Sequence, residues 1–332
     1  MREPGYWWRE AGLFARLLGP LGALYGAVAA ARMAQPGKRV GIPVICIGNL
    51  TVGGAGKTPA ALAVARRLLA AGARPVFLTR GYVGRLGGPV TVDPRHGAAD
   101  VGDEPLLLAR IAPTIVARDR VAGARAAIAA GADVIVMDDG FQNPALAKDL
   151  SVIVVDGRRG IGNGKSFPAG PLRAPLAPQV ARAHALLVVG EAGRLAQPAI
   201  DAARASGRPV LTGRLVPDPT VVAQLSGCPT LAFAGIGDPE KFFTTLRGAG
   251  ITVAATRSFA DHHRLDAAEA TDLARRADDA GLALVTTEKD RARMQGDDAL
   301  AALARRTTAL PVRLAFDDED KLDELLRTVR AT

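Results

Sequence analysis

After residue 38, short β-branched and aliphatic runs alternate with longer Ala-, Leu- and Arg-rich stretches of helical period. The apolar runs predict strands over residues 44–47, 76–78, 114–116, 134–137 and 152–155. The periodic stretches predict helices over 59–71, 104–111 and 120–130. Further strands are expected near 186–189, 210–214, 230–233, 252–255, 283–286 and 312–315, again alternating with helices. Such alternation predicts a parallel sheet with helices on both faces. Segment 156–178 breaks the pattern: it is crowded with Gly, Pro and Arg and has no period, so it reads as a long, functional loop. A second weakly patterned stretch, 216–229, carries Pro217, Pro219 and Pro229. It separates a core at 37–215 from a smaller α/β domain at 216–332.

Residues 1–36 stand apart. Trp7, Trp8 and Arg9 lead into a run from Ala11 to Ala31 broken only by Arg16. Its uncharged part, 17–31, is shorter than the roughly 20 apolar residues that span a bilayer. Ala29-Ala30-Ala31 mimics a signal-peptide cleavage site, but Glu3 and Glu10 dilute the positive flank such a signal needs. The paired Trp with Arg9, Arg16 and Arg32 favours a helix lying in the membrane interface over one packed on the core.

Composition narrows the classes. Of 332 residues, 48% are hydrophobic and 23% charged, which is globular rather than disordered. The net charge of +9 favours an acidic partner: nucleotide, nucleic acid or an anionic membrane surface. Nucleic acid is the weaker reading, because the basic residues are scattered and aromatics make up only 4% of the chain. Cys46 and Cys228 lie far apart with no CxxC pair, so neither a disulfide framework nor a zinc site is indicated.

Chemistry begins at Thr51-Val52-Gly53-Gly54-Ala55-Gly56-Lys57-Thr58, which follows a predicted strand and opens a predicted helix. Against the alternative of a Gly-rich turn that happens to contain Lys-Thr, that context is what a phosphate loop requires. Its glycines let backbone N–H groups converge on a phosphate, and the helix amino end adds a favourable field. Lys57 is placed to reach the β- and γ-oxygens, and the Thr58 hydroxyl to ligate magnesium. Thr51 stands where the Walker pattern has its first glycine. Residues 134–139 are an apolar strand ending in Asp138 and Asp139, the Walker B arrangement, in which one carboxylate holds magnesium. ATP and magnesium are therefore the expected cofactors.

Gly102-Asp103-Glu104-Pro105 reads first as a helix cap, with Asp103 equally able to face the crevice as a base. Asp261-His262-His263 offers a carboxylate–imidazole pair that can take a proton from a sugar hydroxyl, or a polar surface loop. Arg80-Gly81-Tyr82 and the Gly-rich 163–170 with Arg173 are weaker anion-binding candidates. Residues 286–290, Thr-Thr-Glu-Lys-Asp, read as a strand end or as a helix cap with surface charges.

Taken in order, several blocks resemble the tetraacyldisaccharide 4′-kinase family of lipid A biosynthesis. They are Gly48 to Pro59, Thr79-Arg80-Gly81-Tyr82, Gly102-Asp103-Glu104-Pro105, Asp138-Asp139-Gly140-Phe141-Gln142 and Pro168 to Arg173. Ala234-Gly235-Ile236-Gly237, Asp261-His262-His263 and Thr286-Thr287-Glu288-Lys289-Asp290 complete the set. Thr51 belongs to the family's own pattern. The resemblance implies a P-loop kinase core and transfer of the ATP γ-phosphoryl group to the 4′-hydroxyl of a tetraacylated glucosamine disaccharide 1-phosphate, giving lipid IVA. It implies a lipid acceptor reached at the cytoplasmic face of the inner membrane, with the amino-terminal helix resting in the bilayer. It also implies that Asp103 with His262 is the catalytic base, that Asp138 and Asp139 handle magnesium and the γ-phosphate, and that Glu104 assists at the metal. Many members carry an acid after the Arg at 173; here that place is Ala174. The rival is a membrane-associated P-loop switch NTPase with no acceptor, for which the Asp-His-His loop has no task. A soluble-sugar kinase would have no use for the amino-terminal helix.

Overall fold

The computed structural model describes residues 3–330. Eight strands and a late-returning ninth form one large sheet. They are β1 (Val44–Asn49), β2 (Pro75–Thr79), β3 (Val90–Thr91), β4 (Thr114–Val116), β5 (Val134–Asp138), β6 (Leu150–Asp156), β7 (Ala185–Val189) and β8 (Val210–Pro217). A smaller sheet holds β9 (Thr230–Ala234), β10 (Val253–Ser258), β11 (Ala283–Thr287) and β12 (Thr307–Leu310), and β13 (Val312–Phe316) then rejoins the first. The large sheet runs β13-β8-β7-β6-β1-β5-β2-β4-β3 and the small one β10-β9-β11-β12. All pairings are parallel except the two edges, β13 on β8 and β3 on β4. The expected α/β architecture with a parallel sheet is the one observed.

Strand β1 shows why the pattern was apolar without alternation. Val44 and Cys46 enter one core, with Ala124, Val180 and Ile200 from the helices on that face. Ile45 and Ile47 enter the opposite core, against Ala61, Val64 and Leu68 of helix Lys57–Ala70. Both faces are covered, so both must be apolar.

The expected boundary at 216 needs correction at its far end. β13 pairs antiparallel with β8, Val312 opposite Pro217 and Phe316 opposite Gly213. Helix Glu319–Arg330 lays Leu322, Leu326 and Val329 onto the same core as helix Lys57–Ala70. The smaller unit therefore ends near Leu310, and the last stretch covers what would otherwise be an open edge at β8.

At the amino end, helix Leu13–Leu17 leads into helix Gly19–Met33, which lies against the long loop. The inner face there is small: a Cβ on Gly22 would stand 2.8 Å from the Ser166 carbonyl oxygen, and one on Gly26 2.9 Å from Ser166 Oγ. Their outer face is apolar and bare, with Leu13, Phe14, Leu17, Leu21, Leu24 and Val28 all more than half exposed. The tryptophans are not on that face. Trp7 is buried and donates from Nε1 to the Pro168 carbonyl, while Trp8 donates to Glu3 Oε2 and lies under the Arg159 guanidinium. No helix among the described residues is long and apolar enough to cross a membrane.

Candidate active site

The site forms at the carboxyl ends of the central strands, where a doubly wound sheet opens its crevice. The Asn49 side-chain amide, at the end of β1, donates to the carbonyls of Thr51 (2.7 Å) and Gly53 (3.1 Å) and so shapes the loop from within. Val52 N–H donates to the Pro171 carbonyl at 2.8 Å, and Arg173 Nε to the Thr51 carbonyl at 2.9 Å. The long Gly/Pro loop is thus a brace for the phosphate loop. Thr51 itself is buried and contributes its carbonyl, and Ala55 packs into the core; Val52, Gly53, Gly54, Gly56, Lys57 and Thr58 face the cavity. Gly56 sits at φ +95° and caps helix Lys57–Ala70 without a side-chain acceptor, so the helix's first N–H groups remain for an anion.

Asp138 ends β5 and Asp139 follows it, in different states. Asp138 is 1% exposed, and neither carboxylate oxygen has a hydrogen-bond partner. Burial first, then Glu104, pushes its pKa up to about 7 against the pull of Lys57. Asp139, at φ +52°, accepts from Arg173 Nη1 (2.7 Å) and Nη2 (3.1 Å) and lies 3.6 Å from Lys57 Nζ. Burial would raise its pKa too, but Lys57 and Arg173 more than offset it and hold the carboxyl well below the usual range.

The unpaired oxygens of Asp138 fit a hard cation, with the Thr58 hydroxyl on the same crevice as a further oxygen donor. Glu104, expected beside them, is otherwise engaged: its Oε1 holds Lys289 Nζ at 2.6 Å. No cluster of three metal-ligating side chains is assembled among the described residues. Magnesium tolerates this, because it takes one or two protein oxygens and fills the rest with phosphate and water.

Asp103 is not the helix cap. Gly102 at φ +93° holds that position, and Asp103 is the first helical residue, with Oδ1 accepting the Glu104 N–H at 2.9 Å. Its Oδ2 faces His262 Nδ1 at 3.4 Å and accepts from Arg293 Nε at 2.6 Å. Burial alone would raise this carboxyl; His262, Arg293 and Lys289 together hold it far below the ordinary range. His262 adopts φ +57°, packs edge-on to Tyr82 (5.1 Å between ring centres) and lies 3.7 Å from Asp261 by Nε2. His263 turns away, with Nε2 at 2.7 Å from Glu269 Oε2 and its ring stacked on Phe259. Of the paired histidines, His262 is the one at Asp103. Ala174 is fully buried in the core, and its carbonyl accepts from Gln179 Nε2 at 2.6 Å.

Sequence reasoning passed over the helix Glu288–Met294. Thr287 does cap it, but Lys289 and Arg293 are not surface charges: they reach Glu104 and Asp103. Their position just past a strand's carboxyl end was the available signal. All these elements open on one cavity of about 790 Å³, which the amino-terminal helix also lines with Tyr25, Ala29 and Arg32.

A phosphate loop and strand-end acids on a parallel sheet, facing a carboxylate–imidazole pair across a roomy cavity, define a P-loop phosphotransferase. The family profile described as LpxK, tetraacyldisaccharide-1-P 4′-kinase, matches residues 14–331. The chain is 60% identical over 330 residues to the tetraacyldisaccharide 4′-kinase of Rhodopseudomonas palustris strain BisB18, covering 98% of this chain and 95% of that one. It is 58% identical to the protein of the same name from Methylobacterium sp. strain 4-46, covering 96% and 95%. Among solved structures, an LpxK from Aquifex aeolicus crystallised with ATP is similar at a TM-score of 0.70 and 25% identity, covering 96% of this chain and 99% of that one. The chain belongs to the tetraacyldisaccharide 4′-kinase family.

Proposed function

We propose that this kinase moves the γ-phosphoryl group of ATP onto the 4′-hydroxyl of an acylated glucosamine disaccharide 1-phosphate lying at the cytoplasmic face of the inner membrane. The observation that carries this reading is the shared cavity: the phosphate loop, Asp139 and His262 open on the space that the bare-faced amino-terminal helix walls, with Asp138 buried directly behind Asp139. A lipid acceptor held by its chains along that helix would bring its sugar to the phosphate loop.

The amino end of helix Lys57–Ala70 and the Lys57 ammonium bind and orient the triphosphate. Arg173 holds Asp139 ionised beside Lys57, which fixes the lysine's direction. Thr58 and Asp138 would hold magnesium, which when bound neutralises charge on the phosphate oxygens. Asp103 has both oxygens occupied and is 4% exposed, whereas His262 faces the cavity. The imidazole is thus the group that meets the acceptor. With Nδ1–H donated to Asp103, Nε2 is left to take the hydroxyl proton, and Asp103 stabilises the imidazolium that forms. The acceptor oxygen then bonds the γ-phosphorus as its bond to the ADP oxygen breaks.

The test uses labelled ATP with detergent-dispersed disaccharide 1-phosphate. Label appearing in the lipid supports the reading; ATP hydrolysis with no labelled lipid would refute it in favour of a switch NTPase.

A further inference from the structure

Asp103 and His262 reach the site from different parts of the fold, one from the loops of the large sheet and the other from the loop after β10 of the small one. A single buried side chain ties them together. Arg293, 5% exposed, donates from Nε to Asp103 Oδ2 at 2.6 Å, and its Nη2 lies 2.5 Å from the same oxygen. Its Nη1 donates to the Gly235 carbonyl at 2.8 Å, and that carbonyl also accepts the His262 backbone N–H at 3.0 Å. Arg293 therefore grips the carboxylate directly and the histidine through one shared oxygen.

Asp290 braces the arrangement. Its Oδ1 accepts from Arg293 Nη1 at 2.8 Å and from Gly235 N–H at 2.9 Å, and its Oδ2 from Thr287 Oγ1 at 2.6 Å. A Cβ on Gly235 would come within 3.1 Å of Asp290 Oδ1 and 3.3 Å of Arg293 Nη1, so glycine permits the close packing. His262 is held at φ +57°, a conformation that a non-glycine residue keeps only where its surroundings over-determine it. The Gly235 and Arg293 contacts are such surroundings.

We propose that Arg293 is a positioning residue for phosphoryl transfer: it sets the Asp103–His262 spacing across the two sheets, and Asp290 holds it in register. A fixed planar fork suits that task, because three acceptors lie at different bearings from one group, and an ammonium cannot serve them with the same geometry. The inference rests on the reading of Asp103 and His262 as the proton-accepting pair.

A neutral residue at 293 would remove the guanidinium that pairs directly with both buried carboxylates and endanger folding, so R293K carries the test. It keeps the charge and loses the fork. Turnover is measured for the wild type, R293K, H262A and the double variant, with thermal melts confirming that each is folded. R293K is expected to lower kcat by about tenfold or more with the KM for ATP within about twofold, since misplacing a catalytic group costs turnover rather than donor binding. In the H262A background the same substitution should change kcat by less than about twofold, because the group it positions is gone. A kcat for R293K within about twofold of wild type overturns the inference. So does an undiminished loss in the H262A background, which would make Arg293 merely structural. H262A on its own tests the underlying reading: wild-type turnover there removes that reading and the inference with it.

Discussion

The outer face of the amino-terminal helices offers the sharpest test of how this kinase meets its acceptor. Leu17, Leu21 and Leu24 are 67%, 57% and 65% exposed, on a face left largely open to solvent. Fully burying a leucine stabilises by about 2 kcal/mol, so each of these has on the order of 1 kcal/mol still to gain from a bilayer. Replacing all three with Gln should therefore weaken membrane partitioning by about 3–4 kcal/mol, or a few hundredfold. The fold should not notice, because exposed substitutions of this kind shift stability by only about 0.5 kcal/mol. Co-sedimentation with phospholipid vesicles reads the first quantity and a thermal melt the second. Turnover on vesicle-held acceptor should fall with the partitioning while the affinity for ATP stays put. Unchanged partitioning would refute the reasoning. A large fall in Tm would refute it differently, by showing that the face packs on protein.

Three further outcomes follow from the site. Lys57→Met should lower kcat by about a hundredfold or more in initial-rate assays while the protein stays folded, since Arg173 still balances Asp139. His262→Ala should cost about a hundredfold or more, and His263→Ala less than about threefold, because His263 spends its ring on Glu269 and Phe259; the reverse ranking would sink the assignment. Asp138, raised to about 7 when folded and ordinary when unfolded, favours the folded state fully only below about pH 4, and that contribution is lost as pH rises through 7. Melts of the nucleotide- and metal-free protein should find Asp138→Asn more stable than the wild type at pH 8 by on the order of a few kcal/mol, with the gap closing near pH 4.

Much of this fold was legible because a sheet covered on both faces writes itself as uninterrupted apolar strands, as in β1 and β5. What escaped were elements whose partners are distant. β3 is a two-residue edge strand paired to β4, and β12 begins with two threonines directly behind Arg305 and Arg306, so neither carries a periodic signal. The return of β13 to β8 after the whole smaller sheet is a long-range pairing that no local window contains. The tryptophan pair pointed to the membrane for a reason the structure does not support, since Trp7 is buried; the leucines beside it carry the argument instead.

The same distinction explains the site. Residues placed by local backbone geometry, such as Gly53, Gly56 and the strand-end Asp138, are set by their immediate neighbours and could be read from spacing alone. Charged side chains that act through each other could not. Asp103 looked like a cap because helix starts favour aspartate, and only the distant Arg293 and His262 show that its second oxygen serves something else. Lys289 looked solvated because a charged helical turn usually is, and Arg293, one turn further on, carried no signal of its own. Arg293 is buried and Lys289 partly so, which becomes intelligible once Asp103 and Glu104 stand opposite, for a cation withdrawn from water needs an acceptor to meet it. The contacts between the two sheets in this site are thus built largely from ion pairs, and each such pair couples the placement of the small sheet to the chemistry at the large one.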